Sequence, residues 1–223
     1  MPDRLFTPHR QEIDPLLTDG PLTFREFAMA EPLPLARVQA TVLAFLRGRD
    51  DVVLFGAQAV YAWVDAPRMT ETIDVIALDG AMFADALRLH LATSLGMAVR
   101  VREVARGRGL RLYQVRKEGN RHLVDVQLVD ALPPSEPVAG VQVASPPALL
   151  ALKVLALAHR RGQPKAGTDW RDIALLLLRF PDLKCDPGPV SDQLAALDAS
   201  DAARAEWRRI VAEPIEADMD DPG

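Results

Sequence analysis

Cysteine is nearly absent from this 223-residue chain: Cys185 stands alone. No disulfide can form within the chain, and a cysteine-based metal cluster is excluded. Long apolar runs are missing too. The longest, Ile173 to Leu178, falls far short of the roughly 20 residues that span a bilayer. The N-terminal stretch from Met1 to Leu17 has no apolar run long enough for a signal peptide. A soluble, reducing, cytoplasmic setting without membrane contact is the expectation. An excess of basic charge is also lacking. Lys and Arg total 26 against 31 Asp and Glu, a net charge of −5, so the chain as a whole is not built to coat nucleic acid. Lysine itself is scarce: Lys117, Lys153, Lys165 and Lys184 are the whole set. In so Arg-rich a chain, each lysine marks a place where a compact point charge suits better than a planar fork.

What is present is ordinary globular material, 49% apolar and 26% charged. The length fits one large domain, or one domain with a small appendage. Residues 1–34 are Pro-rich and read as an N-terminal arm. An α/β core is expected over 35–140 and a helical C-terminal part over 141–212. An acidic tail over 213–223 carries five carboxylates and is expected to be disordered. Val38, Val42, Phe45 and Leu46 recur at helical spacing. Val52 to Phe55 reads as a buried strand stopped by Gly56, which opens a helix over 57–64. A strand over 72–76, a helix over 81–95 and strands over 98–105, 110–116 and 122–129 follow. Residues 131–137 read as a Pro-rich loop. Ser145-Pro146-Pro147 starts a helix to 161, and Thr168 is placed as the cap of another over 169–179. Short helices are expected over 193–197 and 202–211. The order describes an α+β fold, a mixed sheet covered by helices on one side with a helical C-terminal part.

Four places carry chemistry. A strand running into Gly56-Ala57 presents free backbone N–H groups at a helix N-terminus, which attract phosphate. Thr72 and Asp74 share a face of one strand, and Asp74 sits among Ile73, Val75 and Ile76. An acid there is costly unless a positive group, Arg68 or a metal ion, compensates it. Asp125 repeats the theme between Val124 and Val126. Two such acids on neighbouring strands would converge, and Mg²⁺ sites use one or two carboxylates with substrate phosphates. Lys153 lies in an apolar helix, followed by Lys165, Asp169 and Asp172. The bland alternatives are a tight strand-to-helix turn at Gly56, an Arg68 ion pair for Asp74, and a snorkelling lysine at 153.

Taken in order, these pieces resemble the nucleotidyltransferase superfamily, in particular the minimal nucleotidyltransferases and the AbiEii-type toxin group. The resemblance rests on Gly56, Arg68, Thr70, Asp74 and Asp125, with Lys153, Lys165, Asp169 and Asp172 in the helical half, and covers about residues 35–180. It implies a mixed-sheet nucleotidyltransferase-like core and transfer of a nucleoside monophosphate from an NTP to a hydroxyl of a protein or of RNA such as a tRNA end. It also implies one or two Mg²⁺ ions and a toxin–antitoxin setting with an antitoxin-like partner. Asp74 and Asp125 would hold metal, and Lys153 would act beside them on the triphosphate. Gly56, Ala57, Arg68, Thr70, Thr72, Lys165, Asp169 and Asp172 would bind the nucleotide. Two departures stand out. Ala57 occupies the place where a second Gly or a Ser is commonest. Thr72 occupies the place of the first aspartate in an Asp-x-Asp pair, and a hydroxyl does not bridge two cations as a carboxylate does. The alternative is therefore a nucleotidyltransferase-fold module that binds or regulates without catalysing.

One basic concentration breaks the acidic average. Arg100, Arg102, Arg106, Arg108, Arg111, Arg116, Lys117 and Arg121 are opposed only by Glu103 and Glu118. It would steer RNA, DNA or an acidic partner, or it merely guards solvated strand edges. Tyr113 is the one aromatic interleaved with it, which gives base stacking little support.

Overall fold

The computed structural model describes residues 33–64, 70–104, 107–117 and 119–217. Nearly all of the expected arm, Arg68 and the last six residues of the acidic tail lie outside this range. The chain runs through α1 (Leu35–Leu46), β1 (Val52–Phe55), α2 (Gly56–Trp63), β2 (Ile73–Ala77) and α3 (Gly80–Leu95). It continues through β3 (Val99–Val104), β4 (Gly109–Gln114), β5 (Arg121–Leu128), β6 (Ser135–Val138) and β7 (Val141–Ala144). Helices α4 (Pro146–His159), α5 (Pro164–Arg179), α6 (Pro189–Ala196) and α7 (Asp201–Ala212) complete it.

The strands form one mixed sheet in the order β3-β4-β5-β2-β1-β7-β6. β2 runs antiparallel to β1 and parallel to β5, and β7 runs parallel to β1. The α+β class read from the sequence holds. The expectation of helices on one side does not hold throughout. On β1 and β2 both faces are apolar and both are buried, Val52 with Leu54 against Val53, and Ile73 with Val75 against Ile76. A strand of that composition needs cover on both sides. Helix α3 packs over β2 to β5, and α2 packs over β1, β2 and β7. On β3 and β4 the pattern alternates, with Arg100, Arg102 and Arg111 exposed and Leu112 fully buried. Only one face is covered there.

Local signals explain most boundaries. Leu35, Val38, Val42 and Leu46 form the buried stripe of α1. The Asp79 carboxylate accepts a hydrogen bond from the Met82 amide and caps α3, so that helix starts at Gly80. Helix α4 is apolar nearly all round, as a helix packed on several neighbours must be; it touches α2, α5, α6 and α7. Trp63 donates its indole N–H to the Ala144 carbonyl at 3.0 Å and meets Phe180 edge-on, tying α2 to β7 and α5.

Two expectations fail for identifiable reasons. Residues 131–137 are not all loop: β6 and β7 form a hairpin through Ala139 and Gly140, both at positive φ. Pro137 hid it, yet proline is tolerated on a strand at the sheet edge, which β6 is. Thr168 caps nothing. Helix α5 begins at Pro164, and the Thr168 hydroxyl donates back to the Lys165 carbonyl at 2.7 Å.

Candidate active site

The site forms where β1 ends. Gly56 leaves the strand at φ +73°, a conformation that favours glycine, and becomes the first residue of α2. The first N–H groups of that helix have no partner within it. Asp74 is the register partner of Phe55 across the antiparallel pair. Its side chain therefore lies against Gly56, so closely that a Cβ on Gly56 would sit 2.1 Å from the Asp74 carboxylate oxygen. On its other side Asp74 is in register with Asp125 across the parallel β2–β5 pair. The two acids share one face of adjacent strands, as the sequence reading required.

Their electrostatics differ. Burial, and then the negative charge of Asp125, push the Asp74 carboxyl up to about 6, against relief from Lys153, Lys165 and His122. No hydrogen bond or ion pair among the described residues compensates it. Asp125 is lowered instead. Burial pushes it up, but the Arg111 hydrogen bond and charge, with His122 close by, outweigh that. Arg111 Nε donates to Asp125 Oδ1 at 2.7 Å, and His122 Nε2 lies 3.4 Å from the same oxygen.

A local irregularity makes this clamp. His122 and Asp125 are three apart and would face opposite ways on a regular strand. The pairing of β4 with β5 slips between Leu112 and Tyr113, so Arg111 pairs with Asp125 while Tyr113 pairs with His122. The slip brings His122 round to the Asp125 face. Nothing in an alternation pattern announces it, and the sequence reading missed both partners of Asp125.

The remaining residues fall around this centre. Thr70 is fixed from two helices: Gln58 Nε2 donates to its hydroxyl at 2.8 Å and Gln39 Nε2 to its carbonyl at 2.7 Å. Neither glutamine stood out in the sequence. Thr72 is half-buried, one residue before β2 and two before Asp74. Ala57 is buried in the first turn of α2. Lys153 is buried, with Nζ donating to Asp172 Oδ2 at 2.6 Å and lying 3.7 Å from Asp169 Oδ1. Asp169 is also held by Arg160 at 2.8 Å. Asp169 and Asp172 are buried and turned to these cations, while Lys165 is exposed on the first turn of α5. The charges of Lys153 and Lys165 both reach Asp74. Arg68 lies outside the described residues.

The donor set is all oxygen and suits a hard divalent cation. Two carboxylates with substrate phosphates are what one Mg²⁺ commonly takes. Among the described residues no group of three or more His, Cys, Asp or Glu side chains is arranged to hold a metal.

A glycine-led helix set against two register-matched aspartates on a mixed sheet is the arrangement that the resemblance implies. The family described as "Nucleotidyl transferase AbiEii toxin, Type IV TA system" matches residues 40–221. The chain belongs to that family. No curated protein sequence matches it. Among solved structures it is similar to the polyadenylate synthase of Megavirus, with a TM-score of 0.55 and 14% identity, over 67% of this chain and 32% of that one. It thus spans about a third of the length of that enzyme. It is also similar to JHP933 from Helicobacter pylori, at 0.48 and 14%, over 86% and 92% of the two chains. An antigenic nucleotidyltransferase-like protein from Paracoccidioides brasiliensis matches at 0.41 and 21%, over 89% and 97%. Of these three, the Megavirus likeness alone is close enough to speak for the fold. Among the described residues no helix is long and apolar enough to cross a membrane.

Proposed function

We propose that this chain is the toxin half of a toxin–antitoxin pair and moves a nucleoside monophosphate from an NTP to an acceptor hydroxyl on RNA or protein. The acceptor oxygen bonds to the α-phosphorus, the bond to the β-phosphate oxygen breaks, pyrophosphate leaves and the hydroxyl proton passes to water. The carrying observation is the pairing of Asp74 with Asp125 beside Gly56, with burial and the neighbouring Asp125 charge pushing the Asp74 carboxyl up to about 6.

Asp74 and Asp125 would hold one Mg²⁺, which when bound neutralises the triphosphate and draws negative charge off the reacting phosphoryl group. The N-terminal amides of α2 and the exposed Lys165 bind the phosphates that become pyrophosphate. Lys153 adds a fixed positive charge beside Asp74. Asp172 and Asp169 are positioning residues: they hold the Lys153 ammonium in place and keep its burial tolerable. Gln58 and Gln39 fix Thr70 at the edge of the same phosphate site.

The second reading, a binding or regulatory module that no longer catalyses, draws on Thr72 and on the Arg111 ion pair that already offsets Asp125. One experiment separates the two. Purified protein is offered each of four radiolabelled NTPs with Mg²⁺, alone, with total tRNA and with a cell extract. Labelling of any acceptor by the wild type supports transfer. No labelling by wild type, with strong labelling by Thr72→Asp, supports the degenerate module. No labelling by either defeats the transferase reading.

A further inference from the structure

The acid pair lies at the border between the covered β1–β2 part of the sheet and the open face of β3 and β4. On the β1 side lie Gly56, the N-terminus of α2, and Lys153 and Lys165. On the β4 side lies a different surface, which the proposed reaction has not used. Phosphoryl transfer brings the attacking oxygen in roughly opposite the leaving one. If pyrophosphate departs toward Gly56, the acceptor approaches from the β4 side.

That side is chemically specific. Register places Arg111 beside Asp125, Arg102 beside Arg111, and Tyr113 between Arg100 and His122. Directly paired residues on antiparallel strands point to the same side, so these five share the face of Asp125. The Tyr113 and His122 rings stack at 5.0 Å with 29° between their planes. The Arg102 guanidinium lies over the Tyr113 ring, 5.8 Å from its centroid. Arg102 and Arg111 are like charges placed opposite each other, which destabilises a sheet. Asp125 offsets Arg111, whereas no ion pair among the described residues offsets Arg102 or Arg100. From β2 to β3 the row extends about 14 Å at ordinary strand spacing.

We propose that this row, Arg100, Arg102, Tyr113 and His122 leading to Arg111, is the acceptor subsite, and that it takes single-stranded nucleic acid. The inference rests on the transfer reading above and chooses between its two acceptors. Regularly spaced anions meet the arginines, and an unpaired base lies on the ring stack that alternates with them. An acidic protein segment supplies the anions but leaves the ring stack unused. A duplex supplies them with its bases already stacked on each other. Stacking on such a platform tolerates sequence, so recognition here is of an exposed base and its phosphates rather than of one letter.

The test uses the purified full chain and a fluorescein-labelled, mixed-sequence 12-nucleotide RNA followed by anisotropy, with poly-glutamate and the blunt duplex of the same strand as competitors. The single strand is expected to bind and to weaken with salt. Tyr113→Ala is expected to weaken binding about tenfold, and Tyr113→Phe to restore it. Arg102→Ala is expected to lower the log–log salt slope by about 0.7. Arg102 is exposed, so this variant keeps the test decisive if Tyr113→Ala does not fold. Failure of the single strand to bind, displacement of it by poly-glutamate or duplex as readily as by unlabelled strand, or wild-type binding and salt slope in these variants overturns the proposal. Calorimetry of Mg²⁺–NTP on the same preparations separates the two readings. RNA binding absent from wild type with NTP binding intact overturns the subsite alone, whereas NTP binding absent from wild type overturns the transferase reading beneath it.

Discussion

Gly56→Ala is the sharpest perturbation of the site, because two costs meet there and a second glycine isolates one of them. At φ +73° any side chain carries the left-handed penalty, about 1–2 kcal/mol. For a chain of this size each kcal/mol lowers Tm by about 2–4 °C, so this cost alone predicts a fall of about 2–8 °C. Gly48 has nearly the same torsion, φ +71°, but nothing within 4 Å of where its Cβ would be. Gly48→Ala therefore carries the backbone penalty and no more. At Gly56 the new Cβ would also lie 2.1 Å from Asp74 Oδ2 and 2.8 Å from both the Cβ and the Cγ of Asp74. Turning the carboxylate away relieves the first of these contacts. The Asp74 Cβ is fixed by β2, so β2 or the start of α2 must move. A displacement near 1 Å at reacting groups costs on the order of 100-fold. Gly56→Ala should thus lose about that much transfer, while Gly48→Ala melts earlier by a similar backbone cost and keeps its rate. The assays are thermal melts and initial rates of labelling from NTP, run side by side. Equal rates in the two variants would refute the placement of Asp74 as the reacting-centre carboxylate.

Three further outcomes follow from the charges. Asp74 is raised from 3.8 to about 6 in the fold, so its contribution to stability is fully present below about 3.8 and lost as pH rises through about 6. The roughly two-unit shift corresponds to about 3 kcal/mol at most; metal-free Asp74→Asn should therefore be more stable than wild type at pH 8 and lose the advantage at pH 4, as read by urea titration. Mg²⁺ with NTP should raise the Tm of wild type at pH 8 and leave that of Asp74→Asn unchanged in a melting series. Asp172→Ala removes the nearer partner of the buried Lys153 ammonium and leaves Asp169 at 3.7 Å, so it should cost up to about 3–5 kcal/mol in urea unfolding; a loss under 1 kcal/mol would show that Lys153 escapes to solvent and is not held at the site.

The part of this molecule that could be read from letters is the part governed by local rules. A four-residue apolar run stopped by glycine, then a helix, is legible because both elements are short and their end signals adjacent. Asp74 and Asp125 were conspicuous because an acid between β-branched neighbours contradicts its surroundings, and Lys153 stood out in the same way among leucines and alanines. The capless start of α5 and the β6–β7 hairpin were misread where proline's usual meaning as a breaker gave way to its tolerance at a helix start and on an edge strand.

The sequence by itself determined that the chain carries isolated acids, a glycine corner and a basic hairpin, because composition and spacing act within a few residues. The fold decided that β2 and β5 lie side by side in parallel, which sets Asp74 against Asp125, fifty-one positions away. It also decided that a slip of one residue on β5 turns His122 onto the same face and clamps Asp125 with Arg111. Strand order and register are set by how the apolar faces pack against α2 and α3, a property of the whole sheet that no window of sequence contains.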